Sequence, residues 1–121
     1  MEIVTIRVPL PDRYLSPNAR VHWAKKAKAA KRAKEEGFFE AKLAGVTERT
    51  HSWTSATMQA IFTHAVRRVR DADNHLAMLK NVIDGVTAAG LMVNDSGISP
   101  LPVKFEVGPD EGVTLIFART A

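Results

Sequence analysis

Leu76, Leu79, Ile83 and Val86 recur at helical spacing within residues 74–89, and Gly90 stands where such a pattern is expected to stop. A helix of this kind has one apolar stripe to bury, so it has to lie against a sheet or another helix. The segment just before it supplies a sheet. Between 54 and 64, Ser55, Thr57 and Gln59 alternate with Ala56, Met58, Ala60 and Phe62, the pattern of a half-buried strand.

The remaining segments extend this strand–helix unit. Val4, Ile6 and Val8 share one face of a first strand over 3–8, closed by Pro9 and Pro11. A loop with Ser16-Pro17-Asn18 leads into a helix expected over 20–36, with Gly37 as its stop. Trp23, Ala27, Ala30 and Ala33 or Lys34 are expected to form its narrow inner face, with Trp23 in the core rather than, as the alternative, stacked on an unpaired base. Two strands follow the second helix, over 102–107 and 113–118, and the composition of Gly108-Pro109-Asp110-Glu111-Gly112 suits a hairpin between them. The order strand, helix, strand, helix, strand, strand predicts a single α+β domain over 1–121, a mixed sheet covered by two main helices.

With 45% hydrophobic residues in 121, such a chain can bury one core without a crosslink. It contains no cysteine, which excludes disulfides, thiolate metal sites and a cysteine nucleophile. The start of the chain alternates like a strand and lacks a long apolar run, so neither export nor membrane insertion is expected and the cytoplasm is the expected location.

Charge is divided unevenly. Residues 1–70 carry 14 Lys and Arg against six Asp and Glu, whereas residues 71–121 carry three against seven. That asymmetry suits a chain that holds a polyanion with one part and gathers carboxylates in another. Lys25, Lys26, Lys28, Lys31, Arg32 and Lys34 lie within ten positions of the first helix, and Arg67, Arg68 and Arg70 precede the second. All nine are candidates for contacts to a nucleic-acid backbone. A solvated basic surface is the plainer account of the same residues.

Arg70-Asp71-Ala72-Asp73-Asn74 carries the chemistry. If the chain is extended here, Asp71 and Asp73 point to one side and converge on a hard cation such as magnesium. Asp73 or Asn74 is alternatively a helix N-cap. Asp95 completes the cluster if the chain returns beside the start of the helix. Lys80 lies seven residues past Asp73, near two helical turns, where its charge can stabilise a phosphate. Asp84 is its i, i+4 neighbour and reads as an ordinary surface partner. His64 and His75 lack metal-ligand spacing and are taken as bystanders.

These residues together resemble the RusA-type Holliday-junction resolvases. The likeness lies in Asp71-Ala72-Asp73-Asn74, a helix with a lysine, Asp84-Gly85-Val86-Thr87-Ala88-Ala89-Gly90 and then Asn94-Asp95-Ser96, with Ser16-Pro17-Asn18 and His22-Trp23 upstream. It spans about residues 16–98. It implies a RusA-like fold, magnesium (or manganese in its place) on Asp71, Asp73 and Asp95, Lys80 as catalytic lysine, and a homodimer that nicks a four-way junction in DNA recombination and repair. Proteins of this kind are often carried by phages or prophages. Two departures stand out: about three extra residues precede Lys80, and Asn94 takes a place that is often acidic in the family.

Two other classes compete. One is a branched-DNA-binding module with weak or no catalysis. The other is a phosphohydrolase of small nucleotides, which would need a phosphate-cradling glycine loop that the sequence lacks.

Overall fold

The computed structural model describes residues 2–121. Its elements are β1 (Ile3–Val8), α1 (Trp23–Leu43), β2 (Ala56–His64), α2 (Ala72–Ala77), α3 (Lys80–Ala88), β3 (Ile98–Pro100), β4 (Lys104–Val107) and β5 (Gly112–Arg119), with 3₁₀ turns at Arg13–Leu15 and Asp95–Gly97. The five strands form one mixed sheet, and the helices pack against it as a small α+β fold.

Three rows of apolar side chains cross the sheet. Val4, Phe117 and Met58 share one row, Ile6, Leu115 and Ala60 the next, and Val8, Val113 and Phe62 the third. All nine are buried, so alternate residues of β1, β5 and β2 build the sheet side of a single core. Leu79, Val82 and Val86 of the second helical segment and Ala29, Ala33 and Ala41 of α1 close it from above.

The first helix is longer than expected, because Gly37 does not stop it. At Gly37 and Gly85 the two helices cross so closely that a Cβ on either would strike a backbone carbonyl of the other helix, Val82 or Lys34. Glycine is used there for close approach, and the chain stays helical to Leu43. The stop comes at Gly45, whose φ of 89° suits a left-handed cap. Val46 N–H donates to Ala41 O and Gly45 N–H to Lys42 O, the paired bonds of a Schellman motif. The buried stripe is correspondingly Ala29, Ala33, Gly37 and Ala41, a residue every fourth position. Trp23 falls off that stripe and is 76% exposed, contrary to the core position expected for it.

The second helix is tightened in the middle. Leu79 N–H bonds back only three residues, to Leu76 O, which separates α2 from α3. Gly90 (φ 112°) ends α3 as expected. After it, Trp53 and Met92 form a parallel bridge, and Trp53 N–H donates to Leu91 O, which ties the chain beyond α3 to the entrance of β2.

The expected hairpin is absent among the described residues. β4 pairs in parallel with β2, and β5 pairs antiparallel with the other edge of β2, so β2 lies between them. The turn-rich stretch 108–111 instead crosses the end of β2, where Gly108 N–H donates to His64 O and Ala65 N–H to a Glu111 carboxylate oxygen. No helix among the described residues is long and apolar enough to cross a membrane.

Candidate active site

The carboxylate-bearing turn sits where β2 gives way to α2. Asp71 is extended (φ −85°, ψ 110°) and its Oδ1 accepts the Asn74 amide at 3.1 Å, so Asp71 is the N-cap rather than Asp73 or Asn74. Asp73 already lies within the helix, exposed, in the first turn. The period-2 reason for Asp71 and Asp73 to point together therefore does not apply. Their negative charge still suits the positive end of a helix.

Two contacts fix this turn. Asn74 Oδ1 accepts from the Ser16 hydroxyl at 3.2 Å, which ties the loop ahead of the basic helix to the aspartates. His75 Nδ1 lies 2.8 Å from Asp71 O, and because a carbonyl only accepts, Nδ1 carries the proton.

Lys80 and Asp95 line the same cavity, although they do not bond each other. Its volume is about 340 Å³, and Leu76, Ala77, Ile83, Met58, Ile98 and Pro100 complete its walls. Ala77 is one helical turn beyond Asp73, which places Asp73 on the face of α2 that leads into this cavity. Asp95 arrives there because the stretch after α3 is held against the start of β2 and Asn94 caps the next 3₁₀ turn through Ser96 N–H. The exposed Lys80 bonds the half-buried Asp84 at 3.3 Å as an i, i+4 pair, the one ion pair that its ammonium group would have to leave to reach a phosphate.

Asp71, Asp73 and Asp95 are not gathered into one ready-made cage. Among the described residues no three His, Cys, Asp or Glu side chains form a group able to hold a metal ion. Magnesium, however, is commonly bound by one or two carboxylates with waters and substrate phosphate. The exposed carboxylates of Asp73 and Asp95, with the second oxygen of Asp71, fit that donor chemistry.

The candidate DNA-contacting residues lie on α1 and in the loop after β2. Lys25, Lys26, Lys28, Lys31, Arg32 and Lys34 are all exposed on α1. Arg67 and Arg68 are exposed in the loop after β2, and the half-buried Arg70 braces that loop by donating to Val66 O at 2.9 Å.

The histidines taken as bystanders form part of the wall beside this loop. His64 and His75 pack with Phe62 and Phe105, with 5.4 Å between the two imidazoles. Burial, then the nearby Arg70 and His75, lowers the pKa of His64, and Glu111 opposes the shift. Sequence reasoning missed this cluster because Phe105 is distant in the chain. The alternation of Phe62 and His64 on one strand face was the available signal.

No protein-family model matches the chain. An uncharacterized protein of Xylella fastidiosa (strain Temecula1 / ATCC 700964) is 35% identical over 95 residues, which cover 73% of this chain and 58% of that protein. The chain thus spans less than two thirds of the relative's length.

Proposed function

We propose that the protein is a magnesium-dependent, structure-specific endodeoxyribonuclease that nicks branched DNA such as a four-way junction, in the manner of the RusA-type resolvases. The observation that carries the reading is the shared cavity of Lys80 and Asp95 on the face of α2 headed by Asp73. A lysine and carboxylates near one cavity, with exposed arginines and lysines elsewhere on the surface, suit hydrolysis of a polyanionic backbone.

In this reading the exposed lysines of α1 and the arginines of the 67–70 loop hold the backbone without reading sequence. Lys80 releases Asp84 and places its charge against the phosphate as negative charge builds on it. Asp73 and Asp95, with Asp71, would hold magnesium, whose charge polarises the phosphate when bound. Ser16 and Asn74 keep the turn in place. A homodimer would set two such sites on a two-fold junction, and the reaction would take place in the cytoplasm of a bacterial cell.

Asp71 favours a second reading, a branched-DNA-binding module, because one of its oxygens is already committed to capping α2. The Lys80→Ala and Asp95→Asn variants separate the two. Under the nuclease reading both bind a junction about as well as wild type and cut it at least 100-fold more slowly, in line with the loss of one transition-state contact. Junction binding with no cutting by any of the three proteins would favour the binding module.

A further inference from the structure

A second cavity, of about 410 Å³, lies at the end of β2 and β4, beside the aspartate turn. Its walls combine Arg67, Arg68 and Arg70 with His64, Phe105 and one carboxylate, Glu106, so the basic side chains outnumber the acidic one three to one. Such a volume lies within the range of small-ligand sites. Three guanidinium groups select an anion, and their planar donors suit phosphate oxygens. Phe105 is 38% exposed although it packs on Phe62 and His75 inside, so its ring has surface left to offer. The Nε2 of His64 is buried and has no hydrogen-bond partner among the described residues.

We infer that this cavity receives an unpaired nucleotide next to the cleaved phosphate, its base against Phe105 and its phosphates on Arg67, Arg68 and Arg70. The position supports the assignment. His75 touches the Phe105 ring, with centroids 5.0 Å apart, and also donates to Asp71 O, so one side chain separates the cavity from the aspartate turn. Aromatic stacking accepts any base but requires one that is out of the duplex. The cavity would thus contribute to the preference for branched over linear DNA, and this rests on the nuclease reading only for which phosphate is cut.

Binding in the presence of chelator tests the inference apart from catalysis. Fluorescence anisotropy with labelled oligothymidylate and with a labelled blunt duplex would compare wild type, Phe105→Ala, Phe105→Leu and Phe105→Trp. Phe105→Leu retains apolar packing on Phe62 and loses the stacking ring. The inference predicts that the Ala and Leu variants bind the single strand about tenfold more weakly, the loss of one stacked base. Duplex binding would change less than twofold, and Phe105→Trp would keep the wild-type preference. Equal weakening on both DNAs by folded Phe105→Leu, or no weakening on either, would overturn it. Selective binding by a protein that never cuts would leave the cavity assigned and remove only the nuclease reading.

Discussion

The Ser16 hydroxyl donates to Asn74 Oδ1 across 3.2 Å and thereby joins two segments 58 residues apart. The first leads into the basic helix α1, and the second carries Asp71 and Asp73. A part-buried hydrogen bond of this kind contributes about 1 kcal/mol. Ser16→Ala should lower stability by about that much and slow junction cleavage by about three- to tenfold through misplacement of the turn. Urea unfolding and single-turnover kinetics on one preparation would show whether the kinetic loss exceeds the stability loss.

Asp71 has a capping role and a proposed metal-binding role, and two substitutions separate them. Asn caps about as well as Asp, whereas Ala gives up about 1 kcal/mol. Asp71→Asn should therefore retain the thermal midpoint while losing cleavage, and Asp71→Ala should lose both. Full cleavage by Asp71→Asn would reduce Asp71 to a cap.

The crossing of α1 and α3 makes the opposite of the usual prediction for a helical glycine. Ala in place of Gly normally stabilises a helix interior by about 1 kcal/mol. At Gly37 and Gly85 the added Cβ meets the carbonyl of Val82 or Lys34, so each Gly→Ala change should destabilise by about 2 kcal/mol. Denaturant midpoints of the two single variants would measure this.

That crossing also shows where sequence legibility ends. Periodicity finds β1, β2 and the second helical segment, though not its start at Ala72 or its break before Lys80, because alternation and helical spacing are local properties of the chain. Gly37 carries no local mark distinguishing a stop from a close approach, since its meaning depends on Gly85, 48 residues away. The same holds for residues 108–112, whose composition specifies a turn but not that β2 lies between the strands it joins. Within the candidate site, Asp71, Asp73 and Lys80 stand in one stretch of sequence. That Lys80 and Asp95 line one cavity, and that His75 packs on Phe105, depends on how β3 and β4 return along β2.

His64 gives a pH dependence with a definite sign. Its pKa in the folded protein lies below the ordinary 6.5, chiefly because burial disfavours the charged ring. Above 6.5 both folded and unfolded states are neutral and the stability is fully present. As pH falls below 6.5 the unfolded state takes up a proton first, so stability declines until the folded pKa is passed. Urea midpoints of wild type should fall through this window, and His64→Gln should remove part of that fall.

Salt should reveal the contribution of α1. Each phosphate contact adds about 0.9 to the slope of log affinity against log salt on duplex DNA. Replacing Lys25, Lys28 and Lys31 together by Ala should reduce that slope by about one to two, since exposed lysines do not all reach a phosphate. An unchanged slope would place the DNA on another face.

The most direct measurement is cleavage of a synthetic four-way junction and a linear duplex of matching sequence, with magnesium or chelator, by wild type and Asp73→Asn. Only wild type with magnesium is expected to nick, cutting the junction and sparing the duplex. A wild-type protein that binds the junction and leaves it intact with magnesium and with manganese would contradict it, as would an Asp73→Asn variant that cuts at the wild-type rate.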